Sequence, residues 1–176
     1  ISVLLGNGDG TFAPAVNYGA GYGPVSVAGD DFDGDRDIDL AVANNNLAEV
    51  SVLLGNGDGT FATAVSYSAG DTPVSVFGGD FDGDSELDLA VADSSSNSVS
   101  VLLNNGDGTY SAAVNYGAGI NPRSIIAGDL DGDSDLDLAV ANYYSDDVSV
   151  LLNNGDGTYD AAVNYGAGDG PNSIFT

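Results

Sequence analysis

The sequence lacks the residue types on which most enzyme chemistry depends. Cys, His, Lys, Met and Trp are absent, and only Arg36 and Arg123 are basic. Without Cys there are no disulfides, thiol nucleophiles or zinc–thiolate sites, and without His there is no imidazole base or ligand. A catalytic carboxylate pair would need acids that break the repeated pattern, and none of these forms a convincing constellation; Asp30 and Glu49, for example, are off-pattern but solitary. We therefore expect a protein that is not an enzyme.

The scarcity of positive charge also limits the partners. A formal net charge of −25 disfavours nucleic acid and anionic membrane surfaces, because phosphate groups are bound by Lys and Arg. No run of about 18 apolar residues is present, so we expect no membrane insertion. Hydrophobic residues still make up 43% of the chain, which is normal for a folded globular protein.

What the sequence does contain is a repeat with a period of 49 residues. "SVLLGNGDGTF" at 2–12 returns at 51–61 and, as "SVLLNNGDGTY", at 100–110 and 149–159. The 176 residues hold about 3.6 periods, without gaps. Each period contains four strand-like runs, which in one unit are 73–78, 87–92, 98–103 and 109–116. Between the third and fourth runs lies Asn-Gly-Asp-Gly, which favours a tight hairpin with positive φ.

Four strands in 40–50 residues is the size of one β-propeller blade. We predict an all-β propeller of four-stranded antiparallel blades without significant helix; a solenoid or stacked sheet array is the second interpretation. The predicted units are a partial blade at 1–22, blades at 24–71, 73–120 and 122–169, and the first strand of another blade at 171–176. Propellers usually need at least four blades to close. We therefore expect a segment of a longer array, or a protomer that self-associates to complete one.

One acidic loop follows the first strand of each complete blade, which gives three loops in all. Their nine positions carry acids at 1, 3, 5, 7 and 9, and these account for 15 of the 27 acidic residues. The acids are Asp31, Asp33, Asp35, Asp37 and Asp39 in loop 1; Asp80, Asp82, Asp84, Glu86 and Asp88 in loop 2; and Asp129, Asp131, Asp133, Asp135 and Asp137 in loop 3. Because so many like charges repel one another, the spacing favours a bound cation over a solvated turn.

The oxygen-only ligand set predicts Ca²⁺, one ion per loop. Position 7 accepts Glu86 in place of Asp, which indicates that it contributes its backbone carbonyl while its side chain faces solvent. Positions 1, 3, 5 and 9 would then supply carboxylates. An EF-hand is excluded, since that loop needs Gly at position 6 and Glu at position 12. Here Gly83 is at position 4 and Val91 at position 12.

"GDFDGDSELDLAVA" followed by "SVSVLLNNGDGTY" resembles the FG-GAP/VCBS repeat family, whose blades also occur in integrin α-subunit propellers. The resemblance covers the whole chain and implies a calcium-binding β-propeller, usually extracellular or on a cell surface. It implies calcium ligands at loop positions 1, 3, 5 and 9 and a carbonyl ligand at position 7. Two departures stand out. Position 6, often Gly in the family, is Arg36, Ser85 or Ser134, and the Phe-Gly…Gly-Ala-Pro signature is only loosely kept at 17–24.

Differences between repeats are concentrated in the loops after strands two and four, which antiparallel order places on one face. We call this the variable face; it includes 44–49, 93–98 and 142–147. Repeats share what a scaffold needs and diverge where contacts are made. We therefore expect a protein or carbohydrate ligand there, with Tyr143 and Tyr144 as the main adhesive feature, although the same loops could simply be unconstrained. The recurring Tyr18, Tyr67, Tyr116 and Tyr165 suit packing better than sugar stacking.

Three functions from different classes remain open. The first is a calcium-stabilised extracellular propeller that acts as a binding or adhesion scaffold. The second is a repetitive structural protein that assembles into a fibre, a surface layer or an oligomeric ring. The third is a non-catalytic accessory module of a larger secreted enzyme.

Overall fold

The computed structural model describes residues 1–175, which contain fourteen β-strands and no helix. The strands are β1 (Ser2–Val3), β2 (Val16–Asn17), β3 (Pro24–Asp30), β4 (Asp39–Asn44), β5 (Glu49–Leu53), β6 (Val65–Ser68), β7 (Pro73–Gly79), β8 (Asp88–Asp93), β9 (Ser98–Leu102), β10 (Val114–Gly117), β11 (Pro122–Gly128), β12 (Asp137–Asn142), β13 (Asp147–Leu151) and β14 (Val163–Gly166). No helix in the described part is long and apolar enough to cross a membrane.

The strands form three four-stranded antiparallel sheets and one two-stranded sheet. The first sheet has the order β3-β4-β5-β6, the second β7-β8-β9-β10 and the third β11-β12-β13-β14, while β1 pairs with β2. Each sheet is a simple meander, in which consecutive strands are neighbours joined by short connections. The prediction of all-β, four-stranded antiparallel units is confirmed, but the described residues do not close into a ring.

The second strand of each four-stranded sheet is buried on both faces. These strands have the sequence "DLAVAN" in β4 and β12 and "DLAVAD" in β8. All six residues are buried in β8 and in β12, and five of the six are buried in β4. Small Ala residues alternate with Leu and Val, so apolar atoms cover both sides of the strand and allow sheets to pack on either face.

The first strands of the three sheets lie side by side, with β7 packed between β3 and β11. The same hydrogen bond recurs at each boundary: the Val76 N–H donates to Ser26 Oγ (3.3 Å) and the Ile125 N–H to Ser75 Oγ (3.4 Å). The Ile174 N–H donates to Ser124 Oγ (3.3 Å) in the same way. Residues 171–175 thus lie beside β11 although they form no strand, and Thr176, the last residue of the predicted strand, lies outside the described residues.

The predicted fourth strand at 109–116 is too long, because β10 begins only at Val114. Tyr110 forms an isolated bridge with Asn104 that closes the Asn-Gly-Asp-Gly hairpin, and its ring turns into the core. The hairpin has the expected positive φ at Gly106 and Gly108, and Asp107 accepts the Thr109 N–H (3.0 Å).

The recurring tyrosines pack mainly against aromatic rings of the hairpin strands. Tyr18 contacts Phe61, Tyr67 contacts Tyr110 and Tyr116 contacts Tyr159, each edge to face with ring centroids 5.3–5.4 Å apart. The fourth copy, Tyr165, is exposed. These contacts place the core between adjacent sheets, where it orients the loops that join their strands.

Candidate metal centre

Each acidic loop is held in shape by hydrogen bonds from its own backbone. In loop 2, Asp80 at position 1 accepts the N–H groups of Gly83 (2.8 Å) and Ser85 (3.0 Å) through its two carboxylate oxygens. Asp82 accepts the Asp84 N–H (3.2 Å), and Asp84 accepts the Glu86 N–H (2.9 Å). Loops 1 and 3 repeat the same set of bonds at the same positions. The loop conformation therefore follows from its own sequence.

The position 9 carboxylate is the buried anchor of each loop. Asp88 accepts the Phe81 N–H (2.8 Å) through Oδ2 and the Asn104 N–H (2.8 Å) through Oδ1, so it ties the loop to the hairpin of its own sheet. Asp39 and Asp137 make the equivalent bonds and are, like Asp88, almost completely buried. A buried carboxylate with two backbone donors is rigidly oriented toward the loop interior.

The structure brings together three of the five acidic positions in every loop. Carboxylate oxygens of positions 1, 3 and 9 lie within 4.8 Å of one another in all three copies. These triads are Asp31, Asp33 and Asp39; Asp80, Asp82 and Asp88; and Asp129, Asp131 and Asp137. The position 5 acids, Asp35, Asp84 and Asp133, are exposed and lie outside the triads.

The position 7 side chains, which we expected to face solvent, are half-buried beside the hairpin of their own sheet. A Cβ built on Gly155 would lie 2.7 Å from Asp135 Oδ2, and one on Gly106 would lie 3.7 Å from Glu86 Cγ; Asp37 and Gly57 make the same approach. Glycine in the hairpin leaves room for these side chains, which are not members of the triads.

Loss of solvation raises the pKa of five of the triad carboxyl groups in the absence of a cation, and burial does so most strongly at Asp88. It raises the pKa of Asp88 to about 6, and backbone donors only partly oppose the effect. Burial also raises the pKa of Asp39, and loss of solvation together with neighbouring carboxylates raises the pKa of Asp33, Asp82 and Asp131. A divalent cation favours the ionised forms and opposes these shifts. The converging all-oxygen donor set fits a hard cation such as Ca²⁺.

Position 6 has a left-handed backbone in every loop. Its φ is 76° at Arg36, 77° at Ser85 and 83° at Ser134. This conformation costs a residue with a Cβ about 1–2 kcal/mol, which explains why glycine suits the position. The turn allows the N–H of position 6 to reach the position 1 carboxylate, so the strain helps to form the triad.

Comparison with known proteins agrees with this geometry. The family model for the FG-GAP-like repeat matches residues 31–91 and again residues 80–140, which together cover more than half of the chain. Each match begins at position 1 of an acidic loop and ends within the second strand of the next sheet. The chain belongs to the FG-GAP-like repeat family. A search of curated proteins found no match.

Two solved structures resemble this FG-GAP-like chain in fold. A lectin from Agrocybe aegerita, described by its specific recognition of non-reducing terminal N-acetylglucosamine, is 23% identical over 93% of this chain, with a TM-score of 0.59. The chain spans 45% of that lectin chain. The Tc holotoxin pore of Photorhabdus luminescens is 19% identical over 93% of this chain and 8% of the toxin chain, with a TM-score of 0.48.

The variable face of the FG-GAP-like repeats carries a polar cleft of about 320 Å³ beside the third sheet. It is lined by Tyr143, Tyr144, Asp146, Asp169 and Gly170. The two rings meet edge to face with centroids 5.1 Å apart. Asp146 accepts the Gly170 N–H (2.8 Å), which joins the two sides of the cleft. The two tyrosines predicted as adhesive are therefore part of one concave site.

The corresponding position between the second and third sheets is filled. There Asn121 takes the place of Gly170, and its side chain bonds Ser94 Oγ (2.5 Å) and Arg123 Nε (2.8 Å). The guanidinium group of Arg123 also lies 5.5 Å from the Tyr143 ring centroid, a cation–π contact. Glycine at position 170 thus opens the space that the asparagine closes in the preceding repeat.

Proposed function

We propose that this chain is a calcium-stabilised, extracellular scaffold of β-propeller blades that serves in binding or adhesion and is not catalytic. The observation that carries the proposal is the threefold recurrence of one carboxylate triad, each at the same loop of a four-stranded sheet. Three identical sites that repeat with the fold suit a stabilising ion, since a ligand-binding site has no reason to follow the scaffold period.

The propeller arrangement is supported by the way in which the sheets meet. The first strands lie side by side, and the same N–H to serine bond recurs at each boundary. A constant relation between neighbouring sheets generates a regular array around an axis. The fold similarity to the lectin, over 93% of this chain, agrees with an array of this kind.

Calcium and an extracellular location support each other in this proposal. All triad ligands are carboxylate oxygens, and Ca²⁺ accepts six to eight oxygens in flexible geometry, whereas Mg²⁺ demands a stricter octahedron. Extracellular modules often bind calcium with dissociation constants of roughly 10⁻⁴–10⁻³ M, which the extracellular calcium supply can saturate.

Calcium removal tests the stabilising role. Chelation with EDTA should lower the melting temperature, because an ion that binds only the folded chain adds its binding free energy to folding. Readdition of millimolar Ca²⁺ should restore it, and Mg²⁺ should restore less. A variant with Asp80→Asn and Asp82→Asn should take up two ions in place of three by calorimetry. An unchanged melt, together with no calcium uptake by the unmodified chain, would refute the proposal.

The variable-face cleft is the proposed ligand site, with a carbohydrate as the favoured ligand. Tyrosine rings stack on the apolar face of a sugar, and carboxylates accept hydrogen bonds from its hydroxyl groups. Tyr143 and Tyr144 offer the rings, and Asp146 and Asp169 offer the carboxylates. The structurally similar lectin is described by its recognition of non-reducing terminal N-acetylglucosamine, so glycans with that terminus are the first probes to use.

Substitution of both tyrosines tests this site. Tyr143→Ser with Tyr144→Ser should abolish binding to an array that includes N-acetylglucosamine-terminated glycans, while the calcium-dependent melt stays unchanged. Tyr22→Ser is the matched control, because Tyr22 is also an exposed tyrosine, 74% accessible, but lies outside the cleft. Equal binding by the double variant and the control would exclude the cleft, and binding of a protein but no glycan would exclude the carbohydrate.

Self-association is a second candidate, favoured by exposed apolar side chains around the first strands. Leu4, Phe12, Val25 and Val27 are each more than half exposed. Solution mass measurement separates the candidates, because a structural protein should give rings or filaments and a scaffold module a monomer.

A further inference from the structure

Asn104 bridges loop 1 and loop 2 across the boundary between the first and second sheets. Its Nδ2 donates to the Phe32 carbonyl (2.7 Å) at position 2 of loop 1 and to the Leu87 carbonyl (3.0 Å) at position 8 of loop 2. Its backbone N–H donates to Asp88 Oδ1 (2.8 Å). One buried residue therefore touches both loops and holds a member of the second triad.

Asn153 repeats this bridge between loop 2 and loop 3. Its Nδ2 donates to the Phe81 carbonyl (2.8 Å) and the Leu136 carbonyl (3.1 Å), and its N–H donates to Asp137 Oδ1 (2.9 Å). The N–H groups of Phe32 and Phe81 donate to the position 9 carboxylates of their own loops. The three position 9 carboxylates thus belong to one continuous series of hydrogen bonds.

Packing makes the bridges stiff. Phe32 and Phe81 are almost completely buried, and each ring inserts into the core of the following sheet. The hairpin of that sheet also covers the preceding loop, since a Cβ on Gly108 would lie 3.0 Å from Asp33 Cβ. A change in the position of Phe32 when loop 1 binds an ion therefore has to be taken up by the second sheet.

We propose that Asn104 and Asn153 are positioning residues that couple calcium binding between adjacent loops. The inference rests on the proposed calcium function and extends it from three separate sites to a cooperative row. An ion in loop 1 fixes the Phe32 carbonyl, Asn104 is then held in its bridging orientation, and Asp88 is oriented before loop 2 binds. By linkage, the ion in loop 2 assists loop 1 equally.

The other repeats show which substitution should remove the Asn104 bridge without disturbing the hairpin. The residue at the same repeat position is Gly55 in the first sheet and Gly6 in the two-stranded sheet, and both hairpins keep the closing bridge. Asn104→Gly therefore deletes the side-chain donors while the hairpin and its backbone N–H remain compatible with the fold.

A double-mutant cycle on the full chain measures the coupling. Loop 3 is first disabled with Asp129→Asn and Asp131→Asn in every protein, and loop 1 is then left intact or disabled with Asp31→Asn and Asp33→Asn. With Asn104 present, we expect loss of loop 1 to weaken calcium binding at loop 2 about two- to tenfold by calorimetry, the range of a buried hydrogen bond. With Asn104→Gly, the loss of loop 1 should leave loop 2 affinity unchanged.

Asn153→Gly is the matched control in the same proteins, because its bridge runs to the disabled loop 3 and should leave the coupling intact. If Asn104 is merely structural, Asn104→Gly should lower the melting temperature with and without calcium and leave the coupling between loops 1 and 2 intact. That result would overturn the proposal. Should Asn104→Gly fail to fold by near-UV circular dichroism, Asn104→Ala is measured in the same cycle. The proposed calcium function fails separately, when the unmodified chain takes up no calcium at all.

Discussion

Asp93 is the most informative position for a stability experiment, because the repeat provides its neutral counterpart. It is the last residue of β8 and is fully buried, and the equivalent residues of the other sheets are Asn44 and Asn142. Each asparagine donates from Nδ2 to a serine hydroxyl, at 2.9 Å from Ser51 and 2.8 Å from Ser149. Asp93 reverses this bond, since Ser100 Oγ donates to its Oδ2 (2.6 Å), and its Oδ1 has no partner.

The burial of Asp93 determines how much free energy its ionised carboxylate costs the folded chain. Burial, the largest cause, raises the pKa of Asp93 to about 7 from 3.8 for an unperturbed aspartate. At about 1.4 kcal/mol per pKa unit, the ionised side chain costs about 4 kcal/mol of folding free energy above neutral pH. The folded chain binds the proton more tightly than the unfolded chain, so stability is lost as pH rises from about 4 through about 7.

Asp93→Asn should therefore stabilise the chain increasingly as pH rises. Urea unfolding with saturating calcium should show that the gain grows by roughly 2–3 kcal/mol between about pH 5 and about pH 8, because part of it is already present at the lower pH. Asn142→Asp is the mirror-image control and should lose stability over the same range. A difference that does not change with pH would refute the reasoning, since titration of the loop carboxylates is common to all these proteins.

Two further predictions concern positive φ. Ser85→Gly at position 6 of loop 2 should stabilise the chain by about 0.5–1 kcal/mol, because glycine relieves the backbone strain at φ 77°. Ser111→Gly is the control and should not stabilise it, because Ser111 is exposed and has no positive φ. Urea unfolding measures the stability of both variants. Gly108→Ala should lower the free energy of unfolding more than Gly10→Ala, which changes the equivalent residue of the first hairpin. Both substitutions introduce left-handed strain of about 1 kcal/mol, but of the two only the Cβ at 108 meets atoms of the preceding sheet. An equal loss of stability in the two variants, measured by urea unfolding, would contradict the tight contact between the second-sheet hairpin and loop 1.

The period of 49 residues was sufficient to predict the sheets, because it aligns four turn signals in every unit. β7 to β9 lie within one residue of the predicted runs, since Pro73, the loop that ends at Asp88 and the hairpin after Leu102 mark their ends. The predicted fourth strand is too long because Tyr110 is strand-like in sequence but closes the hairpin. Local sequence contains no information on whether such a residue joins the ladder or turns into the core.

The candidate site was partly predictable for the same reason. Convergence of positions 1, 3 and 9 depends on bonds within nine residues, so the acidic spacing is sufficient to indicate it. The position of Glu86 beside Gly106 depends on how a loop meets a hairpin 20 residues away, which spacing does not report. One visible signal was missed: "LLGNGDG" in the first two hairpins becomes "LLNNGDG" in the last two, and the added asparagines form the bridges between loops.

The three loops differ in how far the following sheet covers them. Loop 1 and loop 2 each have a following sheet whose hairpin covers the loop and whose asparagine binds its position 2 carbonyl. Loop 3 has no such cover among the described residues: Asp129 and Asp131 are exposed where their counterparts are half-buried, and Leu130 is 47% exposed where Phe32 and Phe81 are buried. Because less solvent reaches the first two triads, a bound ion interacts more strongly with them. Within this chain, calcium affinity should therefore be lowest at loop 3, and its binding should depend most on Asn153.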